Sequence, residues 1–326
     1  MYFVDNRNIT DPRLNLALEE YLLRHVTIDE PLFLLYVNEP SVIVGRNQNI
    51  LEEVDVEYAQ ENGVHVIRRL SGGGTVYHDL GNFNFSFISP TIDDLRNFKQ
   101  FTGPIVRVLN RLGVPAEFRN QSDLFVGGKK ISGNAQFSSR GRMFSHGTIL
   151  FDSHLPHLRQ AIKPTKSGIE SKAVQSNRSS VTNIRDFLHV DMTLEELKEA
   201  LVKGILGSDQ IKTFPIQTED WQKIKEMAQA RYHKWEWNIG GSPRFTVNRQ
   251  ATISAHTIQV DITISKGHIE SIVFVTSSEL NRPFAELAHA LQGAKYDRRV
   301  LSQTIMSSRA VAQTKVDISE VLHLIY

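Results

Sequence analysis

Two basic, glycine-rich stretches hold the residues best suited to chemistry. The first runs Arg68-Arg69-Leu70-Ser71-Gly72-Gly73-Gly74-Thr75-Val76-Tyr77-His78-Asp79-Leu80-Gly81-Asn82. Apolar Val64, Val66 and Ile67 precede it, and Phe83, Phe85 and Phe87 alternate after it, which places the glycines between two strands. Glycine in that setting signals close backbone approach to a ligand or an unusual φ. Exposed backbone N–H groups beside Arg68 and Arg69 would suit a phosphate or a carboxylate. A glycine bulge in a sheet, with solvated arginines, accounts for the triplet equally well. The second stretch, Asp123 to Gln136, places apolar runs on both sides of Gly127-Gly128, a hairpin signal. Lys130 opens its second strand, and the small pair Ser132-Gly133 follows. A lysine fixed on a strand near a glycine loop and paired arginines suits polyanion chemistry.

The flanking chain supplies elements to position these groups. Asp11-Pro12 is a helix start, with Asp as N-cap and Pro in the first turn. Leu14, Ala17, Leu18, Tyr21 and Leu22 then define one apolar face. Glu19 and Glu20 could serve as functional carboxylates, with Glu20 expected on the solvated face. Residues 32–37 and 41–44 read as strands joined by a turn at Asn38–Pro40, and Gly45-Arg46-Asn47-Gln48-Asn49 as a compact polar loop. A short helix is expected near residues 55–61, ending at Gly63, and another over 101–112, stopped by Gly113. Phe83, Phe85 and Phe87 share a strand face and belong to the core. Residues 143–151 read as a strand carrying His146, and a lone histidine is more often structural than a ligand. Residues 163–182 are polar, with Lys172, Ser176 and Arg178, and read as a lid or mobile segment. Helical patterns cover 193–206 and 219–233. The segment Trp235 to Pro243 reads as a hinge whose tryptophans anchor the larger domain. Short strands follow over 246–255, 257–265 and 269–275, then helices near 284–292 and 298–306.

Composition narrows the class. A chain of 326 residues accommodates one large domain and a smaller one. The 37 basic and 36 acidic residues nearly balance, which argues against a general nucleic-acid binder. The chain has no apolar run long enough to span a membrane, and its N-terminus lacks a signal-peptide core, so a cytoplasmic protein is expected. With no cysteine, the chain has no disulfide framework, thiolate zinc site or cysteine nucleophile. No His-Glu-x-x-His pattern supports a protein-held transition metal.

Together the motifs resemble the lipoate-protein ligase family, in its two-domain bacterial form. The matching residues are the run from Arg68 to Asp79, the run Gly128-Lys129-Lys130-Ile131-Ser132-Gly133-Asn134-Ala135, and His146-Gly147-Thr148. The likeness extends from about Asp11 into the C-terminal region, and the motifs in combination are highly specific.

The resemblance implies an α/β (α+β) fold. Residues 1–243 would form a large catalytic domain of biotin/lipoate ligase type, a mixed β-sheet flanked by helices. Residues 246–326 would form a small C-terminal α+β accessory domain. It implies a two-step ligase that uses ATP and Mg²⁺: lipoate becomes lipoyl-AMP, and the lipoyl group passes to a lysine of a lipoyl domain. The acceptors would be 2-oxoacid dehydrogenase E2 subunits or the glycine cleavage H protein, and the enzyme would be a monomer without a nucleic-acid or membrane partner. A non-catalytic paralogue that binds lipoyl-adenylate or a lipoyl domain is the alternative. Octanoyltransferases and lipoyl amidotransferases share the fold but need a cysteine nucleophile, which is absent here.

Carried over residue by residue, Lys130 is the catalytic cation. Arg69, Ser71, Gly72, Gly73, Gly74, Thr75, Val76 and Tyr77 contact ATP or lipoyl-AMP, with Lys172 and Arg178 from the polar loop, which corresponds to the family's adenylate-binding loop. Arg46, Gly73 and His146 belong to the lipoate pocket, and Asp123 is the Mg²⁺ ligand. The chain departs from the family pattern at three places. Many members have Arg-Asn-Asp at Gln121-Ser122-Asp123, His-His-Gly at Ser145-His146-Gly147, and a second loop arginine at Ser180.

Overall fold

The computed structural model describes residues 1–164, 166–207 and 211–326. In chain order its strands are β1 (Tyr2–Val4), β2 (Leu32–Val37), β3 (Ser41–Val44), β4 (His65–Arg68), β5 (Val76–His78), β6 (Asn82–Ser89), β7 (Glu117–Arg119), β8 (Asp123–Val126), β9 (Lys129–Ser132), β10 (Asn134–Ser139), β11 (Arg142–Leu150), β12 (Ile169–Ser171), β13 (Thr213–Phe214), β14 (Phe245–Ile253), β15 (His256–Ser265) and β16 (His268–Val275). The chain forms two units. The larger comprises Met1–Arg46, Glu53–Lys163 and Ser176–Lys234, and the smaller Asn47–Glu52, Pro164–Gln175 and Trp235–Tyr326.

In the larger unit a mixed six-stranded sheet runs β10-β11-β6-β2-β1-β13, beside three-stranded sheets β4-β3-β5 and β7-β8-β9. The expected alternation on β6 holds: Phe83, Phe85 and Phe87 lie in one core cluster with Phe33, Leu35 and Phe101. The hairpin forms as read, with β8 and β9 antiparallel and Gly127 and Gly128 at φ +53° and +77°. A two-residue turn with both φ positive matches the natural twist of the strands and favours glycine at both positions.

The helix Pro12–Arg24 starts as expected, Asp11 accepting from the Arg13 amide. Its solvated face is not where the sequence puts it. Glu20 is buried, accepting from Arg231 Nη1 at 2.8 Å and from Tyr232 Oη at 3.0 Å. Arg24, one turn along the same helix, also pairs with it at 3.0 Å, but Arg231 and Tyr232 lie more than two hundred residues away, where local periodicity could not reveal them.

The smaller unit is a four-stranded antiparallel sheet, β12-β14-β15-β16, with helices Asn281–Leu291, Arg298–Ser307 and Ile318–Ile325. Two expectations change here. Trp235 does not anchor the larger unit: it meets His268 edge-on at 5.7 Å and lies under Lys295 Nζ at 4.6 Å, all within the smaller one. Gly267 makes room for it, since a Cβ there would come within 2.5 Å of the ring. The polar segment 163–182 is not structureless either. Ile169–Ser171 pairs with β14, whereas residues from Ser176 onward belong to the larger unit. Thr165, within that segment, lies outside the described residues.

Candidate active site

The glycine loop is held from below by its own arginine. β4 runs parallel to β3, the chain turns through residues 69–75, and β5 returns antiparallel along β3. Arg69 Nε donates to Ser71 Oγ at 2.9 Å and Nη1 to the Ile43 carbonyl at 2.9 Å. Its Nη2 donates to the carbonyls of Gly72 at 2.6 Å and Gly74 at 2.7 Å. Burial lowers the Arg69 pKa to about 10, which still leaves the group cationic at neutral pH. Arg68, fully buried, donates to the Gly45 carbonyl at 2.9 Å and the Arg46 carbonyl at 3.2 Å. Arg69 is therefore a structural pin for the glycine loop and also borders a cavity, while Arg68 pins residues 45 and 46. Gly73 has φ +82°, and a Cβ there would lie 3.3 Å from Arg69 Nη2.

Behind the loop lies a buried polar relay. Ser71 Oγ is 2.7 Å from His146 Nε2, and His146 Nδ1 is 3.1 Å from Glu19 Oε2. Because Ser71 Oγ accepts from Arg69, its own proton is free to go to His146 Nε2. Nδ1 then carries the hydrogen toward Glu19. Burial and the adjacent Glu19 hold the Tyr36 hydroxyl well above its usual pKa, so it stays protonated and donates to that carboxylate. Glu19 thus carries a structural role that its neighbours in sequence do not reveal.

Lys130 and its neighbour separate as strand geometry requires: Lys129 is exposed and Lys130 half-buried. Lys130 Nζ lies 2.9 Å from Asp123 Oδ2 across the hairpin. The segment 180–182 clamps its backbone, the Lys130 amide donating to the Ser180 carbonyl at 2.8 Å and the Thr182 amide to the Lys130 carbonyl at 3.1 Å. Gly133 leaves space above the ammonium, since a Cβ there would stand 3.2 Å from Nζ.

Two adjoining cavities meet at this lysine. The first, about 220 Å³, is bordered by Arg69, Gly73, Gly74, His78, Asp123 and His146 among others. The second, about 250 Å³, is bordered by Tyr77, Leu150, Leu158, Ile162, Arg178 and Val181. Thr75, Val76, Lys130, Gly133 and Ser176 border both. Of the residues singled out from sequence, Ser71 stands behind the wall in the relay, and Gly72 borders neither cavity. Arg46 is exposed and borders neither, and Lys172 belongs to the smaller unit. Sequence reasoning missed Tyr36 and His78 in the first cavity and Glu53, which binds Ser176 beside the loop. His78 was visible as part of the matching motif; the other two carried no local signal.

Residues 11–206 match the model of the lipoyl protein ligase A/B catalytic domain, and residues 242–325 that of the bacterial lipoate protein ligase C-terminus. The chain belongs to the lipoate-protein ligase family. Lipoate-protein ligase LplJ of Bacillus subtilis is 43% identical over 309 residues, covering 94% of this chain and 93% of its own. Among solved structures, a bi-partite lipoate protein ligase from Thermoplasma acidophilum, studied with its E2 lipoyl domain, is 28% identical. It superposes with a TM-score of 0.62 over 73% of this chain and 96% of its own. A lipoate-protein ligase A bound with ATP is also 28% identical, with a TM-score of 0.61 over 73% of this chain and 98% of its own. The family's mixed α/β fold is the one built here around the glycine loop and Lys130.

Proposed function

We propose that this chain is an ATP-dependent lipoate-protein ligase whose first cavity takes the lipoyl chain and whose second takes the adenosine of ATP. The observation that carries this assignment is the position of Lys130 at the junction of the two. An ammonium has three donors, and Asp123 occupies one. The others can bridge the lipoate carboxylate and the α-phosphate, two anions that must approach each other.

In the first step a carboxylate oxygen attacks the α-phosphorus, the bond to the bridging oxygen breaks, and pyrophosphate leaves with that electron pair. In the second, a lysine amine attacks the acyl carbon and AMP departs. Negative charge shifts across the reacting oxygens in both, and a fixed cation there lowers both barriers. Backbone N–H groups from Gly74 to Tyr77 supply further positive ends for phosphate oxygens, and Arg178 a mobile charge at the second cavity's edge. Ser71 and His146 hold the loop and the floor of the lipoyl cavity, and Gly73 gives the chain room. Arg46 completes the proposed contacts at the lipoyl end.

No cluster of three or more metal-ligating side chains occurs among the described residues. A single carboxylate nonetheless fits Mg²⁺, which takes much of its shell from substrate phosphates. Asp123, on the cavity wall, would hold it, and the ion would neutralise phosphate charge.

The acceptor we propose is a folded lipoyl domain, of an E2 subunit or an H protein; the Thermoplasma acidophilum relative studied with its E2 lipoyl domain supports this class. Residues 1–243 would be the catalytic domain and 246–326 the accessory one. A cytoplasmic monomer completes the reading; no helix among the described residues is long and apolar enough to cross a membrane. The test is ATP–pyrophosphate exchange with and without lipoate, followed by transfer to purified lipoyl domains. Exchange that does not depend on lipoate, or no exchange at all, would overturn the assignment.

A further inference from the structure

Two neighbouring glutamates divide the polar segment 163–182 near its middle. Glu52 accepts from the Ser171 hydroxyl, and both residues belong to the smaller unit. Glu53 Oε1 accepts from the Ser176 amide at 2.9 Å and Oε2 from the Ser176 hydroxyl at 2.6 Å, and both of these residues belong to the larger one. Glu53 and Ser176 are also the first residues of the two stretches in which the chain re-enters the larger unit. Their hydrogen bonds join the two points of re-entry to each other. Glu53 is 2% exposed, and among the described residues no cationic side chain pairs with it. A buried carboxylate without donors is costly, so it binds firmly to the amide and hydroxyl that satisfy it.

The far end of this stretch is fixed as well. The Lys130 amide on β9 donates to the Ser180 carbonyl at 2.8 Å, and the Ile184 amide donates to the Leu150 carbonyl on β11 at 2.8 Å. Asn177, Arg178 and Ser179 lie between the two anchors, and all three border the second cavity. Gly74 lets the near end lie close against the glycine loop, since a Cβ there would stand 3.0 Å from Ser176 Oγ. The two bonds from Ser176 to Glu53 differ in what a nucleotide would do to them. The hydroxyl oxygen also takes the Thr75 amide hydrogen at 2.8 Å, which a phosphate would claim. The bond from the Ser176 amide competes with no step of the ligase reading and can persist while the hydroxyl turns away.

We propose that Glu53 is a positioning residue for ATP: through the Ser176 backbone it keeps residues 177–179 at the second cavity before the nucleotide arrives and after it has bound. This rests on the ligase reading above. A segment already in place loses little conformational freedom when its ligand binds, whereas a loose one must be ordered and so binds more weakly.

Lipoate-dependent pyrophosphate exchange in variants of the full chain tests it. Glu53→Leu should raise the KM for ATP roughly 5- to 30-fold, with kcat and the KM for lipoate little changed. Glu53→Gln should restore most of the loss, because its Oε1 still accepts from the Ser176 amide. Ser176→Ala keeps that amide and should not raise the KM for ATP. An unchanged KM in Glu53→Leu, a Glu53→Gln as impaired as Glu53→Leu, or a rise in Ser176→Ala equal to that in Glu53→Leu would overturn the proposal. Hydrogen exchange of the Ser176 amide in the unaltered chain is a second reading, and it decides if Glu53→Leu does not fold. The amide should be protected without ligand and remain so with lipoate and ATP; rapid exchange in either state would overturn the proposal. Absence of lipoate-dependent pyrophosphate exchange in the unaltered chain is a separate result and removes the ligase reading itself, while protection of the ligand-free amide is read without any activity.

Discussion

Ser176 Oγ accepts the Thr75 amide hydrogen at 2.8 Å, at the end of the glycine loop. The same hydroxyl donates to Glu53 Oε2 at 2.6 Å, and Glu53 Oε1 accepts from the Ser176 amide at 2.9 Å. A side-chain oxygen thus sits on an N–H that the proposed mechanism gives to a phosphate, and a carboxylate holds it there. A nucleotide must displace this contact. Ser176→Ala should therefore speed tryptic cleavage after Arg178 in the ligand-free chain by roughly tenfold, the worth of one charge-assisted hydrogen bond. Lipoate with ATP should narrow the difference. Equal cutting of both proteins would show that the contact holds nothing.

The Glu19 relay predicts a stability cost distinct from any catalytic one. Glu19→Leu leaves the His146 Nδ1–H and the Tyr36 hydroxyl buried without their acceptor. Uncompensated groups of that kind cost about 2–4 kcal/mol. Denaturant unfolding should show a fall of this size with an unchanged m-value. A loss below about 0.5 kcal/mol, the range of an ordinary surface substitution, would contradict the relay.

His78 also gives the chain a pH dependence of defined sign. Its pKa is lowered from 6.5 to about 3 in the folded state, so below 6.5 the unfolded chain takes up a proton that the folded chain refuses. Stability is unaffected above pH 6.5 and falls as the pH drops toward 3, by up to about 1.4 kcal/mol per pH unit from this group. Comparing the slope of unfolding free energy between the unaltered chain and His78→Gln isolates it. The variant's slope should be shallower in that window; identical slopes would show that His78 titrates normally.

The legible parts of this molecule were those written in neighbouring residues. Gly127-Gly128 fixed its hairpin because no other residue pair adopts two positive φ values as easily. Asp11-Pro12 fixed a helix start, and the alternating phenylalanines fixed the core face of β6. What was not legible depends on partners distant in sequence. Glu20 is charged and belongs by its type at the surface, but the distant Arg231 and Tyr232 join the neighbouring Arg24 in compensating it inside. The arginine pair reads as suited to polyanion chemistry, yet Arg69 gives its donors to its own loop and to the Ile43 carbonyl of β3, because the carbonyls of Gly72 and Gly74 turn inward. His78 is bonded by Asn38 and, behind it, Asn15, 40 and 63 residues earlier, and no periodicity encodes that.

The direct test of the central claim, that the Lys130 charge drives both steps, is lipoate-dependent pyrophosphate release in single-lysine variants. Lys130 faces the cavities and Lys129 faces solvent, so each serves as a control for the other. Lys130→Ala should lose roughly 100- to 1,000-fold in rate, as removal of one such electrostatic group does. It should lose comparably in transfer from preformed lipoyl-adenylate. Lys130→Arg should fail as well, because a planar fork does not replace a compact ammonium. Lys129→Ala should release pyrophosphate at nearly the unaltered rate. An active Lys130→Ala beside a dead Lys129→Ala would contradict the account.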